Sequence, residues 1–130
     1  MQNIGMKARL NCDFMSARVL VIDALKAEGF GVLTDIDVTK TLKEKMGLDT
    51  RQYEILGACN PSLAHQAMQT NPDVGLFLPC NVILYSETDC TIVNIINPMS
   101  MIEMMPDAGL EEVATAASEK LNRVFESIQK

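Results

Sequence analysis

The hydrophobic pattern of this chain switches repeatedly between the spacing of strands and that of helices. Residues 4–12 alternate between apolar and polar with a period of two, which predicts a half-buried strand. Residues 14–28 instead carry apolar side chains over a wide helical arc, which predicts a helix buried on more than one side. The apolar spacing from Leu110 to Ile128 predicts a final amphipathic helix. The remaining predicted elements are strands over 30–38, 51–58, 74–85 and 90–96 and helices over 40–46 and 61–70.

The order of these elements indicates the fold class. A tight hairpin turn at 86–89 joins the last two strands, and no segment repeats along the chain. We therefore predict an α+β fold in which a mixed, mainly antiparallel sheet of about five strands has helices packed on one face. With 130 residues, 48% of them hydrophobic, the chain can bury one core, so we expect a single domain over 1–130. Residues 97–106 are predicted to form a loop or a broken helical turn.

Composition argues against several kinds of partner. The net charge of −6 comes from acids scattered among bases, aromatic residues are only 5% of the chain and tryptophan is absent, so we expect no nucleic acid partner. The N-terminus has no apolar stretch after a basic start, and no later stretch reaches the length of a membrane span. We expect no membrane partner and a cytoplasmic location. The four widely spaced cysteines, Cys12, Cys59, Cys80 and Cys90, are then expected to be reduced thiols.

Cys59 is the leading candidate for a chemically active residue. The run Cys59-Asn60-Pro61 ends a predicted strand and begins a helix, with Asn60 as the N-cap and Pro61 in the first turn. The positive end of a helix dipole stabilises a thiolate, so this position suits a catalytic or ligand-binding cysteine. Alternatively, a small apolar side chain simply ends the strand, as buried cysteines often do. The residues leave both interpretations open.

Cys80 follows a proline in the most hydrophobic predicted strand. Simple alternation points its side chain at the core. Pro79 inside a strand requires an edge, a bulge or a break, however, and such irregularities re-aim side chains near binding sites. If the two strands end close together, Cys59 and Cys80 face each other across a shallow pocket roofed by the methionine segment, which predicts either a reversible thiol pair or a soft-metal site. Asn60 and Asn81 would lie beside them, so that Cys59, Asn60, Cys80 and Asn81 are the candidate residues for binding a small-molecule ligand.

The methionines of residues 97–106 add thioether sulfurs near this predicted pocket. With thiolates they suit a soft ion such as Cu(I), and the candidate ligands are Cys59, Cys80, Met99 and Met101. The alternative, which we favour, is that flexible methionines fill gaps at a core edge or a dimer contact. The only histidine, His65, has no cysteine within four residues, so we expect no structural zinc site.

Other ionisable residues fit structural roles better than catalytic ones. Asp35 and Asp37 share a strand face, where paired carboxylates can do acid–base work, but a solvated sheet edge or a helix cap explains them as well. His65 has no obvious partner within a helical turn, which favours an exposed structural residue over a general base. No nucleophile elbow, phosphate loop or dinucleotide fingerprint occurs, and we expect no cofactor.

Four segments form a combination that is specific as a set: Gly29–Val38, Ile55–Pro61, Leu78–Val82 and Asn97-Pro98. In this order, and across nearly the whole chain, they resemble the bacterial and archaeal family called domain of unknown function 302. The resemblance implies an α+β fold of the TATA-binding-protein-like type and a homodimer, but no activity. Some members carry an Asp-His pair where this chain has Asp37-Val38, so a role for that histidine does not extend to this protein. Likeness of fold to a DNA binder does not imply DNA binding.

Three functions remain open on these grounds. The leading hypothesis is a dimeric binding module that encloses a small ligand or a soft ion near Cys59 and Cys80. The second is a thiol-dependent redox protein or enzyme that uses Cys59 as its nucleophile. The third is a structural or interaction protein, for which the broad apolar surface of the first helix is the support.

Overall fold

The segments with period-two alternation form one antiparallel sheet in the computed structural model, which describes residues 4–130. The strand order is β1-β5-β4-β3-β2, and every neighbouring pair is antiparallel. The predicted α+β fold with a mainly antiparallel five-strand sheet is confirmed, and this order is compatible with a TATA-binding-protein-like topology. The strands are β1 Gly5–Leu10, β2 Gly31–Asp37, β3 Tyr53–Cys59, β4 Cys80–Glu87 and β5 Cys90–Ile96.

The first three α-helices begin where short polar side chains cap them, as the sequence predicted, whereas the last two have no side-chain cap. Asp13 accepts a hydrogen bond from the Ser16 N–H at 2.7 Å, and Asn60 accepts one from the Leu63 N–H at 3.2 Å. Gly47, with a φ of 68°, ends a helix in the left-handed conformation. The helices are α1 Phe14–Ala27, α2 Val38–Met46, α3 Pro61–Thr70, α4 Met99–Met104 and α5 Glu111–Ile128.

The first helix is buried on one side only, so the prediction of burial on more than one side is wrong. Its buried residues, Phe14, Ala17, Val21, Ala24 and Leu25, face the sheet and α5. Met15, Val19 and Leu20 are exposed on its outer side, where nothing in the described part of the chain covers them. The wide apolar arc identified the helix correctly but not the number of layers packed against it.

The strand predicted over residues 74–85 is wrong in its first half. Pro72–Phe77 form a 3-10 helix capped by Asn71, and β4 begins only at Cys80. Since β4 begins at Cys80, Pro79, whose peptide bond with Leu78 is cis, lies just before the strand and not inside it. The error has a physical reason: a short apolar run fits a helical turn as well as a strand, and its leading proline suits the start of a helix.

The core consists of two hydrophobic clusters. The main cluster fills the space between the sheet and helices α1 and α5, and it includes the fully buried Leu25, Leu56 and Leu121. The second cluster joins α3, the 3-10 helix and the start of α5 through Ala67, Val74, Leu110 and Val113. Since α5 contributes to both, it sets the distance between them. The opposite face of the sheet carries the stacked rings of Tyr53 and Tyr85 and is covered by no helix in residues 4–130.

Candidate functional site

A cavity of about 430 Å³ lies at the end of the sheet, between the two hydrophobic clusters. The main cluster contributes Phe30 and Ala58 to its wall, and the second cluster contributes Ala67, Val74 and Val113. The ends of β3 and β5, the start of β4, and parts of α3, α4 and α5 surround it. The cavity is therefore a space that remains between helices and strands that are distant from one another in the sequence.

The end of β3 and the start of α3 form one wall of the cavity. Cys59 is the last residue of β3, half-buried, and Asn60 follows as the helix cap. The Asn60 side chain uses both of its groups within the protein, because its oxygen caps α3 while its amide donates to the Glu28 carbonyl at 3.4 Å. Asn60 lines the cavity, but its hydrogen bonds hold α3 against the end of α1.

The start of β4 forms the adjacent wall. Cys80 pairs with Ala58 across the sheet and packs against the main cluster, as alternation predicts, while the next residue, Asn81, is exposed. Pro79 packs closely over Gly57 on the opposite face of the sheet. The structure thus brings all four predicted ligand-binding residues, Cys59, Asn60, Cys80 and Asn81, to one cavity.

The two cysteines reach the cavity from different faces of the sheet. Cys80 shares a face with its partner Ala58, and Cys59, next to Ala58 in the chain, points to the other face because strand side chains alternate. Strand spacing and rise place the two Cα atoms about 6 Å apart, but the Cβ atoms diverge, which does not suit a disulfide. Both cysteines are free thiols. The two sulfurs do not face each other in a regular strand arrangement.

Burial determines the protonation state of Cys80. Burial in apolar surroundings raises the pKa of this thiol to about 11, and the charge of an ionised Cys59 nearby adds to the rise. At neutral pH Cys80 is therefore a neutral thiol, which is neither a strong nucleophile nor a ready metal ligand.

The candidate metal ligands do not form one set. Met101 lines the cavity with Cys59 and Cys80, but Met99 lies outside its lining and its sulfur accepts a weak hydrogen bond from the Thr115 hydroxyl at 4.0 Å. Within residues 4–130, no three histidine, cysteine, aspartate or glutamate side chains are grouped closely enough to hold a metal ion. Of the four candidate metal ligands, the cavity is lined by the Met101 thioether and by the thiols of Cys59 and Cys80, which lie in different environments.

The remaining predicted candidates lie away from the cavity. His65 is exposed on α3. Asp37 caps α2 by accepting from the Lys40 N–H at 3.0 Å, and Asp35 pairs with the Arg18 guanidinium. The paired carboxylates are thus a cap and an ion-pair partner.

Several wall residues carried no recognisable signal in the sequence. Leu63, Ala64 and Ala67 lie on the inner side of α3, and Val113 and Ala117 lie on α5. Their helical spacing indicates a buried face, but the same spacing occurs whether that face meets other side chains or an open space. The only sequence feature that indicated a cavity was the small size of Ala64, Ala67 and Ala117, because alanines leave volume unfilled between helices.

The fold and this site define a small α+β domain with a mainly apolar cavity at the end of its antiparallel sheet. The family model for "Domain of unknown function DUF302" matches residues 6–128, and the chain belongs to this family. The crystal structure of an uncharacterized conserved protein of the same family from Bacillus stearothermophilus is similar to it, with a TM-score of 0.88 and 31% identity over 97% of this chain and 98% of that one. No curated protein matches the chain. The predicted family membership is confirmed, and the names of the family and of the Bacillus stearothermophilus structure state no activity.

No helix in residues 4–130 is long and apolar enough to cross a membrane.

Proposed function

We propose that the protein binds a small organic molecule in the cavity between its two hydrophobic clusters. The cavity itself is the observation that carries this proposal, because about 430 Å³ falls within the range of about 300–1,000 Å³ that small-molecule sites occupy. Its walls are mainly apolar with a few polar groups, among them Asn81 and Ser100, which is the usual composition of such sites.

The apolar lining of this cavity, and not its volume, distinguishes it from the other clefts of residues 4–130. A cleft beside α2 is as large, but Asp37, Lys40 and Lys43 line it. Apolar atoms that line an unfilled space lose dispersion contacts. Ala64, Ala67 and Ala117 all line this space, and longer side chains at these helical positions would fill it. An apolar space of this kind is expected where a ligand supplies the missing contacts.

Filling the cavity from α3 is expected to abolish binding. Ala64 is half-buried and lines the cavity, so the variant Ala64→Leu places a larger side chain there without changing the helix propensity much. The probe is N-phenyl-1-naphthylamine, an uncharged dye that fluoresces in apolar surroundings, titrated against the protein. We expect the affinity of the dye to fall at least about tenfold.

The matched control is Ala27→Leu, the same change at an exposed alanine near the end of α1, outside the cavity lining. It should bind the dye as the original protein does. Absence of dye binding to the original protein, or equal binding by Ala64→Leu, would contradict the proposal.

We also propose that two copies associate through the sheet face that carries no helix. This face presents Ile36, Ile55, Ile83 and the stacked pair of Tyr53 and Tyr85. Five strands of about seven residues span roughly 24 Å by 23 Å, a projection of about 550 Å² before side-chain relief is counted. A standard interface buries about 800 Å² on each partner. The projection is smaller than this, and side-chain relief adds to it, with Lys7 and Arg9 at the β1 edge of the face.

A charge in the middle of this face is expected to prevent dimerisation. Ile55→Lys would place an ammonium group between two packed sheets, where its desolvation is costly. Sedimentation equilibrium should show a dimer for the original protein and a monomer for the variant. Met15→Lys, which changes an exposed apolar residue on the outer side of α1, should remain a dimer. The sheet face is not the interface if the original protein is a monomer, or if only Met15→Lys loses the dimer. If Ile55→Lys does not fold, Ile36→Lys at the exposed sheet edge provides a second variant.

We also propose that the protein is located in the cytoplasm. All four cysteines are free, and a reducing compartment keeps thiols in that form.

A further inference from the structure

We infer that the ligand of this cavity is uncharged and mainly apolar, an inference that rests on the proposed binding function. None of the described residues that line the cavity is Asp, Glu, Lys, Arg or His. Charged residues make up 22% of the chain, so their absence from this wall contrasts with the rest of the molecule. An ionised ligand would lose its hydration on entry and meet no opposite charge.

The polar groups of the wall limit the ligand further. The Asn60 side chain is committed to the α3 cap and to the Glu28 carbonyl, and the Ser100 hydroxyl donates to the Asn97 carbonyl at 2.7 Å. Asn81 is exposed at the wall formed by the start of β4. A ligand acceptor is therefore expected on the Asn81 side, the Ser100 oxygen can still accept a hydrogen bond, and the remainder of the molecule contacts hydrocarbon and sulfur.

The sulfur atoms favour an unsaturated or aromatic ligand body. Met101 and Cys80 both line the cavity, and polarisable sulfur makes favourable contacts with aromatic rings. Leu63, Val74 and Phe77 complete an apolar surround. The chemical class is accordingly a neutral, mainly apolar compound with few hydrogen-bonding groups, for which an aromatic body makes favourable contacts with sulfur.

Two dyes with the same ring system test this inference. N-Phenyl-1-naphthylamine is neutral, whereas 8-anilinonaphthalene-1-sulfonate adds one negative charge. The neutral dye is expected to bind at least about tenfold more tightly. Because the protein carries a net charge of −6, the comparison is repeated in about 1 M salt, where the Debye length is about 3 Å and long-range repulsion is screened. The preference should persist, since desolvation of the sulfonate does not depend on distant charges.

A charge introduced into the wall should reverse the preference. Met101 is half-buried, so Met101→Lys places an ammonium group at the cavity while its stem stays against apolar surface. We expect this variant to bind the sulfonate dye more tightly than the neutral one, whereas Met101→Leu keeps the original preference.

The outcomes separate this inference from the function on which it rests. If both dyes bind the original protein equally in high salt and Ala64→Leu abolishes both, the cavity binds ligands but the inferred class is wrong. If neither dye binds, the proposed function fails and the inference fails with it. A neutral-dye preference that Ala64→Leu removes and Met101→Lys reverses supports both.

Discussion

The variant Gly57→Ala is expected to lose about 1–3 kcal/mol of unfolding free energy, because its new methyl group has no room. A Cβ at this buried position would overlap the Thr34 hydroxyl oxygen and lie 2.7 Å from the Pro79 Cγ. The threonine can rotate away, but the proline ring is rigid and lies directly before β4. Relief therefore requires a shift between β3 and the start of β4. Equilibrium urea unfolding measures the loss.

Gly31→Ala is the matched control for this prediction. Gly31 lies in β2, the strand next to β3, and an added Cβ there has nothing within 4 Å. This change should be neutral or stabilise by up to about 1 kcal/mol, since alanine reduces the freedom of the unfolded chain. Since Pro79 lines the cavity, Gly57→Ala should also weaken binding of the neutral dye. Equal urea midpoints for Gly57→Ala and Gly31→Ala would rule out the close packing of Pro79 as a source of stability.

The double variant Thr34→Ala/Gly57→Ala separates the two contacts. Removing the hydroxyl keeps the proline contact and an ordinary contact of 3.4 Å with the Cβ of residue 34. A loss of stability that persists relative to Thr34→Ala therefore identifies Pro79 as its cause. Full recovery would instead assign the loss to Thr34.

Local chemistry explains why much of the fold was predictable. The caps at Asp13 and Asn60 depend on a side chain and a backbone N–H three residues away, so a short sequence specifies each of them. The helix Glu111–Ile128 likewise buries the apolar positions that its spacing predicted. Alternation also placed Cys80 on the core side of its strand. These features depend on residues that are close in sequence.

The features that were missed depend on distant contacts. Whether Met15 is buried depends on whether a second layer packs over α1, and the residues of α1 alone do not predict such a layer. The cavity depends on how far Ala67 of α3 lies from Val113 of α5, which are separated by many residues and an intervening strand pair. Period and composition identify buried faces, but they do not give the distance between them. The cysteines were therefore identified as candidates before the apolar helices that complete their cavity.

Removal of the Arg18 guanidinium is the second change with a large expected effect. Arg18 Nε lies 2.5 Å from a Glu54 carboxylate oxygen, and the same guanidinium pairs with Asp35. The Glu54 side chain is only 12% exposed, so Arg18→Leu would leave a largely buried carboxylate without its partner. Breaking a fully buried pair costs about 3–5 kcal/mol, and because the Arg18 side chain is 25% exposed we expect a smaller loss, about 1–3 kcal/mol near neutral pH.

The pH dependence of this loss follows from the direction of the Glu54 pKa. Burial raises the pKa of Glu54 above its ordinary value, while the hydrogen bond and charge of Arg18 lower it. A carboxyl group with a raised pKa in the folded state binds its proton more tightly there, so stability falls as pH rises from about 4.3, the unfolded value, through the folded one. Without Arg18 the folded pKa rises further. The fall should then be larger and extend to higher pH.

Urea unfolding at about pH 4 and about pH 7 measures this difference. We expect the gap in unfolding free energy between the original protein and Arg18→Leu to be small at the lower pH, where Glu54 is mostly protonated, and to widen at the higher pH. Between Glu54→Gln and Arg18→Leu/Glu54→Gln the pH-dependent part of the gap should disappear, because the amide cannot ionise. A gap of constant size at both pH values, unchanged by Glu54→Gln, would mean that Arg18 stabilises the fold through the packing of its hydrocarbon stem and not through its charge.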